Sequence, residues 1–181
     1  MFGRLRVATV TVVDAREEHL ATIAEIYAAA AHTSPATFDF EGRPLAWWRE
    51  VLGASDSAAG RPFVVALTAA GEVAGYARTA RFRDKPAYDS TCETSIYVAE
   101  AARGQGVGAA LYAELLDRLD RGPLRLAVGG VTEPNPASTR LHLAAGFQAV
   151  GTFVGVGTKF GRLWDVTWYQ RPLGDHGRPA G

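Results

Sequence analysis

Apolar positions along the chain switch between a period of two and a period near 3.6, and the switches outline the elements. Residues 7–13 are mostly β-branched and end in charge, which predicts a first strand. A helix opening at Asp14 or Ala15 follows, with Leu20, Ile23, Ala24, Tyr27 and Ala31 at helical spacing and Glu17, Glu18 and Glu25 among the other positions. Residues 32–43, punctuated by Pro35 and Gly42, read as a loop rich in aromatic side chains. Pro44 suits the first turn of a short helix carrying Trp47, Trp48 and Leu52. Residues 63–68 and 73–80 predict an antiparallel hairpin turned at Ala69-Ala70-Gly71-Glu72. A charged loop over 81–89 leads to an apolar strand over 91–98. After residues 103–108 comes a long amphipathic helix bearing Leu111, Leu115, Leu116 and Leu119, which ends near Gly122-Pro123. A short buried strand is expected over 124–128. Asn135 can cap a helix with Pro136 in its first position and Gly146 at its stop. Strands over 149–158 and 163–170 close the pattern. The order β-α-α-β-β-β-α-β-α-β-β is mixed α/β, read as one domain over 1–173 with a disordered tail over 174–181.

Composition narrows the function. In 181 residues, 48% are hydrophobic and 21% charged, enough to bury a core without metal or disulfide staples. Lysine and arginine number 19 against 19 acids, so net charge gives no reason to expect nucleic acid or an anionic membrane as partner. The lone Cys92 excludes an internal disulfide and a cysteine-based zinc site, and no metal is expected. No apolar run approaches the roughly 20 residues of a membrane-spanning helix. The apolar stretch over 7–13 runs into Asp14-Ala15-Arg16-Glu17 and reads as a strand entering a helix rather than a signal peptide, so a cytoplasmic location is expected.

The segment Arg103-Gly104-Gln105-Gly106-Val107-Gly108-Ala109 carries the strongest chemistry. Glycines between a strand and a helix let backbone N–H groups converge, and the helix N-terminus adds partial positive charge; together they suit a phosphate or pyrophosphate. Arg103 adds a full charge at the rim. A Walker loop would end in Gly-Lys-Ser/Thr, whereas this one continues Gly108-Ala109-Ala110. Gly104, Gly106 and Ala109 do satisfy dinucleotide spacing. That reading also needs a doubly wound sheet and an acid ending the next strand, and Glu133 falls instead in the expected following loop. A glycine turn that binds nothing would cost stability without return.

The same loop resembles the acetyl-CoA loop of the GNAT superfamily of N-acetyltransferases, and the likeness runs over about residues 8–173. It narrows further. Thr37-Phe38, Ala87-Tyr88-Asp89, Glu93-Thr94-Ser95-Ile96-Tyr97-Val98, Asn135, Leu141-His142 with Gly146-Phe147, and Lys159-Phe160-Gly161-Arg162 with Trp164-Asp165-Val166 resemble phosphinothricin and methionine sulfoximine acetyltransferases. The resemblance implies a GNAT fold, a central mixed and mostly antiparallel sheet flanked by helices, with acetyl-CoA as co-substrate. It implies transfer of acetyl to the α-amino group of a small amino acid analogue such as phosphinothricin or methionine sulfoximine. The transfer is expected to be direct, in a ternary complex, because Cys92 is one residue from Glu93 and is expected to face the opposite side of the strand.

Acyl transfer to an amine needs a base for the amine proton, donors for the developing oxyanion and a proton for the departing thiolate. The resemblance assigns Glu93 and His142 as a joint acid/base pair; GNAT enzymes that protonate the thiolate with a tyrosine on the helix of His142 have no counterpart here, because residues 136–145 contain none. It assigns carrier contacts to Ile96, Tyr97, Val98, Arg103, Gly104, Gln105, Gly106, Val107, Gly108, Ala109 and Asn135. Substrate contacts fall to Thr37, Phe38, Arg83, Lys85 and Tyr88. Phosphinothricin enzymes carry arginine where Lys85 stands and tryptophan where Ser90 stands; lysine is a point charge without the bidentate fork. Related enzymes are homodimers, and the aromatic last strands are expected to contribute to that contact. Two other functions fit the sequence: acetylation of a different amine by the same fold, and a non-catalytic module that senses acetyl-CoA.

Overall fold

The computed structural model describes residues 10–174. Residues 7–9 of the expected first strand and 175–181 of the expected tail lie outside the described residues. Strands β1 (Thr11–Asp14), β2 (Phe63–Leu67), β3 (Val73–Arg81), β4 (Thr91–Val98), β5 (Leu126–Glu133), β6 (Gln148–Lys159) and β7 (Arg162–Pro172) form one sheet. Its order is β1-β2-β3-β4-β5-β7-β6. Helices α1 (Leu20–Thr33), α2 (Leu45–Gly53), α3 (Val107–Asp120) and α4 (Pro136–Ala144) flank it. Among the described residues only β4 and β5 run parallel; the other pairs are antiparallel. The described residues thus form no doubly wound sheet, and the dinucleotide reading falls with it.

Alternation along the strands divides the core. The face carrying Val64, Ala66, Ala77 and Cys92 packs on the leucines of α3, and the face carrying Phe63, Val65 and Tyr76 packs on α1 and α2. Trp48 is fully buried at the centre of the second cluster, edge-on to Tyr27, Trp47 and Tyr76. Burying a side chain of this size contributes about 2–3 kcal/mol.

The elements differ from expectation in two places. The first helix begins later, because β1 keeps its ladder to Asp14, opposite Val64, and a 3-10 turn over Glu17–His19 intervenes. The short strand after α3 is eight residues long, ending at Glu133, because β7 pairs with it from Leu126 opposite Pro172 to Glu133 opposite Asp165. Glu133 thus ends a strand rather than lying in a loop, and its Oε2 accepts from the backbone N of Asn135 at 3.2 Å. Gly174 is tied down as well, its amide donating to Asp120 at 3.0 Å.

The feature that positions the site is a fork. β4 and β5 pair only from Thr91 to Glu93, opposite Leu126 to Val128. Beyond that point β4 continues on β3 alone and β5 on β7 alone, so the two halves of the sheet diverge.

Candidate active site

At the mouth of the fork, β4 runs through a 3-10 turn (Glu100–Ala102) into the glycine loop. Gly104 and Gly106 adopt φ of +73° and +84°, the left-handed region that glycine enters without strain. The first backbone bond of α3 is Ala110 N to Gly106 O at 3.1 Å, so the amides of Val107, Gly108 and Ala109 have no partner within the helix. Arg103 is exposed and pairs with no carboxylate among the described residues. Convergent free amides, a helix N-terminus and one free guanidinium fit a diphosphate. Two predicted contacts have other local roles. Gln105 Nε2 donates to Ala101 O at 2.7 Å and braces the loop from within. Gly108 serves close packing: a Cβ there would meet Leu141 at 3.3 Å and Val98 at 3.8 Å, so its absence draws α4 onto α3.

Along the open edge, strand parity decides which groups are free. Ala99 donates to Ala74 and Thr79 to Pro62, which fixes the alternation. The backbone groups of Ile96 and Val98 point into the fork, whereas those of Tyr97 turn toward β3. The expected backbone contact from Tyr97 is therefore corrected: its amide is spent on the sheet, and its ring stacks on Tyr76 at 5.5 Å and meets Tyr27 edge-on at 5.2 Å. Asn135 caps α4 through Oδ1, which accepts from Ser138 N at 3.1 Å, and this leaves its Nδ2 for a ligand.

Glu93 stands at the base of the fork, opposite Ala80 on β3 and Val128 on β5. Its carboxyl titrates above the ordinary glutamate range because burial disfavours the charged form, an effect opposed by the positive charges of Arg83 and Arg78. Arg78, opposite Ser95, shares the face of Glu93 and lies over the Trp47 ring at 5.3 Å. Arg83 lies over Phe82 at 4.2 Å. Thr37 and Phe38 approach from the α1–α2 loop. Thr37 Oγ1 is 2.9 Å from the Tyr27 hydroxyl, which donates to Asp39 at 2.7 Å, and Asp39 accepts a two-pronged pair from Arg43. Lys85 and Tyr88 are exposed on the rim, Tyr88 edge-on to Phe82 at 5.7 Å. The sequence reading missed Arg78, although a lone cation inside the apolar run of β3 was a signal for it.

The structure does not bring His142 against Glu93. Glu93 and Thr94 are consecutive on β4 and project to opposite faces. His142 belongs to the face of Thr94. Its Nδ1 is 2.9 Å from the Ser138 carbonyl, which can only accept, so Nδ1 carries the proton. Nε2 then accepts from the Tyr112 hydroxyl at 2.9 Å, and that hydroxyl is 3.2 Å from Thr94 Oγ1. Burial lowers the His142 pKa and pushes Tyr112 up to about 12. Glu93 and His142, expected as a joint acid/base pair, thus lie on opposite faces of β4, and Tyr112, which the sequence reading did not single out, bonds to His142. Gly129 of β5 makes the arrangement possible, since a Cβ there would come within 2.8 Å of His142 Nε2. Cys92 also lies on this face, buried and with its thiol pushed up to about 12 by desolvation.

A desolvated carboxylate at the base of a split sheet and an amide nest at its mouth define the frame of a transferase that draws its group from a diphosphate-bearing carrier. Residues 15–147 match the acetyltransferase (GNAT) family, and the chain belongs to that family, an N-acetyltransferase with acetyl-CoA as co-substrate. It is 42% identical over 163 residues to the phosphinothricin N-acetyltransferase of Streptomyces coelicolor, covering 87% of this chain and 92% of that protein. It is 36% identical over 166 residues to the L-methionine sulfoximine/L-methionine sulfone acetyltransferase of Salmonella typhimurium, covering 88% and 92%. The crystal structure of a phosphinothricin acetyltransferase from Sinorhizobium meliloti, in complex with acetyl-CoA, superposes with a TM-score of 0.87 at 35% identity, covering 95% of this chain and 94% of that one.

Proposed function

We propose that the protein moves acetyl from acetyl-CoA to the α-amino group of a small amino acid analogue bearing a second polar or anionic group, as in phosphinothricin or methionine sulfoximine. The observation that carries this reading is the desolvated Glu93 carboxyl beside two arginines at the base of the fork. Glu93 accepts a proton from the amine, whose nitrogen then attacks the thioester carbonyl. The C–N bond forms as the C–S bond breaks. Backbone N–H groups of Ile96 and Val98 are available to the carrier arm and the developing oxyanion. The departing thiolate takes a proton from the hydrogen-bonded Tyr112–His142 pair, and that pair and Glu93 then exchange their protons with solvent, so the acid and base are two separate stations. Arg78 and Arg83 receive the acidic groups of the amine substrate, with Thr37 and Phe38 as its wall and Lys85 and Tyr88 as its rim. Transfer is direct within a ternary complex, because the only thiol in the chain is Cys92, which faces away from Glu93 and resists ionisation.

Release of coenzyme A thiol, measured with and without amine, tests this. Phosphinothricin and methionine sulfoximine are expected to raise the rate above that with ordinary amino acids or peptide N-termini. Stimulation only by those other amines would reassign the substrate, and acetyl-CoA binding without turnover on the whole panel would make the protein a sensor.

The working unit we propose is a homodimer in the cytoplasm, where acetyl-CoA is supplied. Among the described residues no helix is long and apolar enough to cross a membrane. Val150, Phe153, Val154, Val156 and Leu163 are all more than half exposed on β6 and β7, an apolar patch suited to a second copy. Val154, 83% exposed, is the test position. Val154→Asp is expected to convert a dimer to a monomer in light scattering without lowering the monomer's helix content. An unchanged mass would remove this face as the interface.

A further inference from the structure

Resting on the reading that Thr37 and Phe38 wall the amine site, we infer that Gly157 and Lys159 of β6 are positioning residues that seat the substrate loop. The two lie on one face of the strand, two residues apart, and both are buried while Val156, Thr158 and Phe160 are exposed. Lys159, 1% exposed, crosses from the far edge of the sheet to the end of α1. Its Nζ donates to Ser34 O at 2.9 Å and Thr37 O at 2.7 Å. Ser34 is the C-cap of α1, where unpaired carbonyls and the negative end of the helix dipole favour a cation. A buried ammonium is costly unless its donors are used. Here two of them hold the loop at both ends of a short segment. Gly157 supplies the other half. A Cβ there would come within 2.2 Å of the Phe38 ring, so the ring lies directly on the strand backbone and only glycine leaves it that place. The Trp164 indole donates to Lys159 O at 2.8 Å and fixes the strand beneath. The seat therefore sets the height and register of Thr37 and Phe38 over the fork from β6, which lies three places from β4 in the sheet order.

Amide hydrogen exchange, together with steady-state kinetics on phosphinothricin, tests the seat in Lys159→Met, Lys159→Arg and Gly157→Ala. In Lys159→Met, exchange over residues 34–43 without substrate is expected to speed at least about tenfold, for the loss of two charged hydrogen bonds. The KM for the amine should rise by about the same factor, with the acetyl-CoA Kd within about twofold, as for lost positioning of one substrate only. Lys159→Arg keeps donors and should recover part of both. Gly157→Ala should raise the amine KM, and that effect should vanish in a Phe38→Leu background, since the clash is with the ring. Unchanged exchange over 34–43 in Lys159→Met overturns the inference, as does faster exchange with an unchanged amine KM. Wild-type protein that acetylates no amine would defeat the proposed function alone. The exchange arm would still decide whether the seat exists.

Discussion

Glu93→Gln is expected to lower kcat by about 10²–10⁴-fold, the range for removing a general base, while the acetyl-CoA Kd stays within about twofold. Burial raises the Glu93 pKa, with Arg83 and Arg78 partly opposing it. The base acts only when deprotonated, so kcat/KM of the wild type should fall as pH drops through a value above the ordinary glutamate range. That limb should be missing in Glu93→Gln. The sign for stability is opposite to that for activity. A carboxyl whose folded pKa exceeds its unfolded one binds more protons folded, so its contribution to stability declines as pH rises from the unfolded pKa through the folded one. At neutral pH the charged form is a burden on the fold that the active site retains. Glu93→Gln should therefore melt no lower than the wild type at pH 7 while losing turnover. A variant that keeps the wild-type rate and pH profile would remove Glu93 from the chemistry.

How far the chain could be read follows from the range of the interactions involved. Pro44 before α2, Asn135 and Pro136 at the start of α4 and the left-handed Gly146 after it act within a few residues, so their signals are local and the helices sit where those residues place them. The glycine loop is local in the same sense. Strand parity separated Cys92 from Glu93 correctly, because alternation needs only neighbours. Beyond that range the reading thinned. The extension of β5 to Glu133 depends on β7, more than thirty residues later, pairing through two glycines that discourage a strand on propensity. The family motif names Glu93 and His142 together as an acid/base pair without giving their relative position. The face that α4 covers is fixed instead by Gly129 and Tyr112, on two other elements. Lys159 falls between the strands expected over 149–158 and 163–170, and its burial depends on carbonyls 122 and 125 residues away. Chemistry carried by consecutive residues was legible, and chemistry assembled across the sheet was not.

Gly106→Val is expected to weaken acetyl-CoA binding by about 10–100-fold, the equivalent of one or two charge-assisted hydrogen bonds. Gly106 is the N-cap of α3 at φ of +84°, and its carbonyl opens the helix ladder. A β-branched residue held there costs about 1–3 kcal/mol, and relaxing that strain rotates the amides that follow out of convergence. The side chain would also enter the concavity where a diphosphate sits. Melting should fall by a few degrees, about 2–4 °C per kcal/mol for a domain of this size. Gly104→Asn separates the two effects. A Cβ at Gly104 meets nothing within 4 Å, and asparagine tolerates the left-handed φ of +73°. That variant should melt close to the wild type, so any loss of acetyl-CoA affinity in it reports obstruction of the nest rather than strain. If calorimetry finds wild-type affinity in Gly106→Val despite a lower melting temperature, the carrier's diphosphate binds elsewhere. The amides of Val107 to Ala109 would then be a helix end facing water.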